Sequence, residues 1–202
     1  MTTLRRRVIA GAALLACAAP FGVAQAQSAA GDEVNRAVAT TVTDGTRAFD
    51  FSWSLDRQKG GVVGHQNTAN AAARCTDCRA TAIAFQVVLA SRGTTVGTVR
   101  NQAVAINDQC TNCVVFAGAR QFVRVIADAN NAAFTDAGRA TLSDVRNDLR
   151  ALEAQDLDVD ALTAAVEAQE ARVLKVLTEE VVTTSGDEVS YRTQVNRQAT
   201  DG

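Results

Sequence analysis

The chain has 202 residues, with 22 acidic side chains against 20 basic ones, a formal net charge of −2, and 47% hydrophobic residues. A mildly acidic balance with no basic stretch beyond the first seven residues argues against nucleic acid or anionic lipid as the partner. The hydrophobic share is enough for one domain with a real core.

The N-terminus reads Arg5-Arg6-Arg7, an apolar run over residues 8–19, then Ala24-Gln25-Ala26, which is the order of a secretory signal peptide. Cleavage before Gln27 would remove residues 1–26 and leave 176, with 17 basic residues against 22 acidic ones. No later stretch offers the ~20 apolar residues of a membrane span, so the expected location is secreted or cell-surface. Leu14-Leu15-Ala16-Cys17 also resembles a lipoprotein-processing box, which would tether the chain through Cys17. The arginines loosely fit a twin-arginine signal as well.

Residues 34–56 alternate, with Val34, Arg36 and Val38 before Asp44-Gly45 and Phe49, Phe51, Trp53 and Leu55 after it. Alternation around a tight-turn dipeptide predicts a hairpin. A duplicated unit follows, each copy built on an Asn-x-Ala pattern, a Cys-x-x-Cys and an Ala-x-Ala-x-Gln pattern: Asn67 to Gln86, then Asn101 to Gln121. Asn35 to Ala39 repeats the opening pattern. Each unit reads as strand, two-residue turn, strand, with Asp77 or Asn112 in the turn and with Asn67 set opposite Gln86 and Ala69 opposite Ala84. In the second unit the alanines fall out of phase by one residue unless a strand is bulged. A helix after each cysteine pair is the competing reading, disfavoured by Ile83, Phe85, Val87, Val88 and Val123.

From Thr135 the period becomes helical: Leu142, Val145, Leu149 and Leu152, then Leu162, Val166, Val173 and Leu177. This predicts a helical hairpin with Thr135 and Asp158 as N-caps. Residues 183–202 are polar and aperiodic and read as a flexible tail. The expected fold class is therefore α+β: antiparallel β-hairpin repeats, a meander or solenoid-like sheet, followed by a C-terminal helical hairpin. Its segments are a signal at 1–26, a β-repeat domain at 27–133, the hairpin at 134–182 and the tail.

Cys75, Cys78, Cys110 and Cys113 are the candidate site residues. An even number of cysteines behind an export signal favours disulfides, either within each turn or between turns, as Cys75 to Cys110 and Cys78 to Cys113. A four-thiolate zinc site is the less favoured alternative, because the gap between pairs exceeds the ~15–20 residues usual for such sites; otherwise no cofactor is expected. A redox dithiol ranks lowest, since thioredoxin-like enzymes need a cis-proline and the only proline, Pro20, lies in the signal. Asp156, Asp158, Asp160 and Glu167 imitate a calcium loop, but Ala161 stands where glycine is required, so an inter-helix turn is expected. His65 is the only histidine and reads as structural; there is no His-Glu-x-x-His.

Through Asn35, Asn67, Asn101, the four cysteines, Gln86, Gln121 and Phe134-Thr135, residues 34–180 resemble a bacterial exported family with paired Cys-x-x-Cys repeats. Its members occur alone after a signal peptide or as the extracytoplasmic part of proteins named putative peptide zinc metalloproteases. The resemblance implies an accessory to a membrane protease or peptide-maturation system, and the protease motif is absent here. The residues themselves favour a disulfide-stapled structural or binding module of the cell envelope, without catalysis, with an envelope component as partner and with self-association through open sheet edges. A thiol-disulfide oxidoreductase is the enzyme alternative.

Overall fold

The computed structural model describes residues 33–96, 100–183 and 193–201, so the expected signal peptide and Cys17 lie outside the described residues. The chain winds through three successive coils. The first holds β1 (Glu33–Thr41), β2 (Arg47–Gln58) and β3 (Val62–Val63); the second holds β4 (His65–Ala73), β5 (Arg79–Ser91) and β6 (Thr95–Val96); the third holds β7 (Arg100–Asn107) and β8 (Val114–Ile126). Each strand pairs in parallel with its counterpart one coil on, giving sheets β1-β4-β7, β2-β5-β8 and the short β3-β6. This is a parallel β-solenoid.

The expected antiparallel hairpins are therefore not formed. Asn67 stands between Asn35 and Asn101, not opposite Gln86, and Ala69 stands between Ala37 and Ala103. The physical reason is that a period-two pattern assigns each residue to a face without choosing the strand beside it. Folding each unit across its turn puts the same alanines inward whether the two strands pair or face each other. What favours stacking is that like sits on like, asparagine on asparagine and turn on turn.

The space between the first two sheets is thin, because both line it with alanine: Ala37, Ala69, Ala71, Ala80, Ala82, Ala84, Ala117 and Ala119 are buried there. The asparagines bridge it. Asn35 Nδ2 donates to Asn67 Oδ1 at 2.7 Å and Asn67 Nδ2 to Asn101 Oδ1 at 2.8 Å. The same amides reach the second sheet: Asn35 to Phe85 O, Asn67 to Ala84 O and Arg120 O, Asn101 to Ala119 O, at 2.9–3.1 Å. Buried amides that meet all these acceptors cost little, whereas a vacancy in the ladder would strand a polar group at ~1–3 kcal/mol.

The phase problem of the second unit is solved outside the strand. Ala103 and Ala105 keep register with Ala69 and Ala71, and the extra residue is taken up before Cys110, where Gln109 adopts φ 56°.

The other face of β2-β5-β8 carries the large residues, including Trp53, Phe85, Phe116 and Phe122, with the Trp53 and Phe85 rings stacked at 6.0 Å. Two helices cover it: α1 (Asp136–Ala151) and α2 (Val159–Glu179), joined by a 3-10 turn at Leu152–Ala154. Thr135 Oγ1 accepts from Gly138 N and Asp158 Oδ1 from Ala161 N, so both expected N-caps are in place. Asp156 pairs with Arg79 at 2.7 Å and Arg47 at 3.1 Å, tying the inter-helix turn to the sheet. Covered on both faces, β5 is buried from Ala80 to Ser91, which is why that run reads as apolar throughout. A buried ion pair crosses the layer, Arg120 Nε to Glu170 Oε2 at 2.7 Å.

After α2, β10 (Val181–Thr183) pairs antiparallel with β9 (Ala132–Phe134), and β11 (Thr193–Asp201) runs antiparallel along β8. Residues 193–201 of the segment expected as a tail thus supply the outer strand of the second sheet. At the opposite end, the Asp50 carboxylate accepts from Val38 N at 2.7 Å, satisfying an edge donor of β1.

Candidate functional site

One corner of the solenoid is built from three copies of a single turn. Thr43-Asp44-Gly45-Thr46, Cys75-Thr76-Asp77-Cys78 and Cys110-Thr111-Asn112-Cys113 lie one above another, and the third residue of each is left-handed, with φ of 70° at Gly45, 55° at Asp77 and 57° at Asn112. Glycine, aspartate and asparagine are the residues that accept this conformation most readily. The stack is hydrogen-bonded: Gly45 N to Thr76 O at 2.9 Å, Asp77 N to Thr111 O at 2.9 Å, and Asn112 Nδ2 to Asp77 Oδ1 at 2.6 Å. Threonines therefore occupy in the first coil the positions that cysteines hold in the next two.

Cys75 and Cys78 are joined by a disulfide across the turn, with their Cα atoms 6.0 Å apart. Cys110 and Cys113 are thiols on the equivalent backbone positions. The pairs are in contact: Cys113 Sγ donates to Cys75 O at 3.0 Å and Cys75 N to Cys110 Sγ at 3.4 Å. The four cysteines picked from sequence thus come together as one column, bridged within a turn and not between turns. Burial, then the Cys110 thiol beside it, raises the Cys113 thiol above its ordinary range.

A second cluster lies across the lumen, near the third corner of the first coil. Parallel pairing places Glu33 directly beside His65, and Asp56, near the end of β2, faces them from the other sheet. One donor atom from each lies within 4.8 Å of the others, and His65 Nδ1 is 3.8 Å from Asp56 Oδ2. Asp56 Oδ2 also accepts from Ser54 Oγ at 2.9 Å and Gln86 Nε2 at 3.3 Å. Gln121 Nε2 continues this line to Gln86 Oε1 at 2.7 Å and to His65 O at 3.4 Å. A hydrogen bond with the Asp56 carboxyl, aided by burial and by the Asp56 charge, raises the Glu33 carboxyl above its usual range.

His65 is buried, as its structural reading requires, yet the carboxylates beside it were not legible as its neighbours. The signal was available in the asparagine ladder: Asn35 and Asn67 are 32 residues apart, and the same interval carries Glu33 to His65.

A recess of about 50 Å³ between Arg47, Phe49, Arg79, Leu152 and Leu162 is far below the ~300 Å³ of a small-molecule site. Among the described residues no helix is long and apolar enough to cross a membrane. Comparison with protein-family models, with curated proteins and with solved structures finds no match.

Proposed function

We propose that the protein is an exported structural and binding module of the cell envelope, stapled by a disulfide in each cysteine turn and without catalytic activity of its own. The observation that carries this reading is the in-register column of turns. Cys110 and Cys113 repeat the backbone positions of the bridged Cys75 and Cys78, so an oxidising compartment would close both. Each closure contributes roughly 2 kcal/mol by restricting the unfolded chain, a useful addition where the inner core is alanine.

The binding face is the outer side of β1-β4-β7, which lies opposite the helices. Val34, Val38 and Ile106 are 46%, 40% and 50% exposed there, among Arg36, Thr68 and Gln102. A flat, rigid strand surface of this kind suits an extended envelope polymer or a partner protein better than a small molecule.

The test is the intact mass of the protein exported by its own host, taken with thiol alkylation before and after reduction, together with retention of the folded protein on isolated envelope. Four cysteines blocked until reduction, and retention lost on mutating Val38 and Ile106 to Asp, support the reading. Free thiols in the exported protein, or no retention, contradict it.

A further inference from the structure

The geometry points to a divalent cation site, zinc first, held by Glu33, Asp56 and His65. The three donors come from two sheets and two coils, so only the folded register assembles them. An imidazole nitrogen with two carboxylates is a donor set for borderline divalent ions; hard ions such as calcium take oxygen alone.

The charge pattern differs from that of the acids the fold pairs with arginine. Asp108, Asp144, Asp148, Asp156 and Glu170 each have an arginine within 4.0 Å. Among the described residues neither Glu33 nor Asp56 is paired with arginine or lysine, and their carboxyl groups lie within 4.8 Å of one another. A cation between them would supply the opposite charge that arginine gives Asp108, Asp156 and Glu170.

The surroundings are those of a held site. Ser54 and Gln86 fix Asp56, and Gln86 is itself fixed by Gln121, which also holds the His65 carbonyl. Such outer partners orient ligands before an ion arrives. Glu33 is exposed, so the ion enters from solvent and keeps a water-filled position beside it. Ligand atoms around zinc at ~2.1 Å lie roughly 3.4 Å apart, so the observed spread closes by small rotations of the two carboxylates. The ion would brace the first coil to the second at the corner without cysteines.

The experiment is calorimetric titration of zinc into the full folded chain, repeated on Glu33→Gln, Asp56→Asn and the Cys110→Ser/Cys113→Ser pair. One ion per chain is expected, weakened at least ~10-fold by either carboxylate change, as loss of a ligand is at least as costly as loss of an outer partner, and unaltered in the cysteine variant. Because Glu33 is exposed, its amide variant tests the site without threatening the fold. Cobalt substituted for zinc should show no sulfur-to-metal charge-transfer band. Absence of binding, full affinity in Glu33→Gln, or affinity lost only with the cysteines would overturn the assignment.

Discussion

The two faces of the sheet β2-β5-β8 are built on different physics. Outward, Phe85, Phe116, Phe122 and Trp53 meet the helices in a layer stabilised by the amount of apolar surface removed from water. Inward, Ala80, Ala82, Ala84, Ala117 and Ala119 offer little surface each, but they let the sheets approach until Asn67 reaches carbonyls in both the second and third coils. The difference teaches that bulk and register are assigned to separate faces. The outer layer makes the fold stable, and the inner layer decides which strand lies beside which.

The largest break of this comparison is Glu170→Ala. It leaves Arg120 charged in the outer layer, and an unfolding midpoint should show a loss of ~3–5 kcal/mol, against a small change for the double Arg120→Met/Glu170→Leu replacement. Phe85→Ala should cost a similar ~3–5 kcal/mol by denaturant titration, through lost burial and a cavity beneath Trp53. On the inner face, Asn67→Leu removes few contacts by area yet strands the amides above and below it. A loss of ~2–3 kcal/mol is expected, with loosened coil pairing seen as faster amide exchange in β1 and β4. At the corner the effect should be smallest: Asp77→Gly relieves a left-handed residue but loses the bond from Asn112, altering the midpoint by under ~1 kcal/mol, whereas Asp77→Val should destabilise by ~1–2 kcal/mol.

The same division explains what was legible in the sequence. The strands, the helices, Thr135 and Asp158 follow from periodicity and capping chemistry, which are local. Strand partners are not local, and alternation alone is equally consistent with Asn67 beside Gln86 or beside Asn35. The decisive hint was the third copy of the turn, hidden because Thr43 and Thr46 replace the cysteines and Gly45 replaces the aspartate. β11 was illegible for another reason: Thr193 to Asp201 shows no apolar alternation, and its placement rests on backbone pairing to β8. The Glu33, Asp56 and His65 cluster depends on coil register: the 32-residue interval from Asn35 to Asn67 carries Glu33 to His65, but Asp56 joins them only once the sheets face each other.

The most direct test of the three-coil register is a nuclear Overhauser map of the folded chain labelled at its backbone. Stacked parallel coils put the amides of Ala37, Ala69 and Ala103 in successive contact, with strand-to-strand cross-peaks along Asn35, Asn67 and Asn101. Close α-proton contacts between Asn67 and Gln86 and between Ala69 and Ala84, the signature of an antiparallel hairpin, would contradict it.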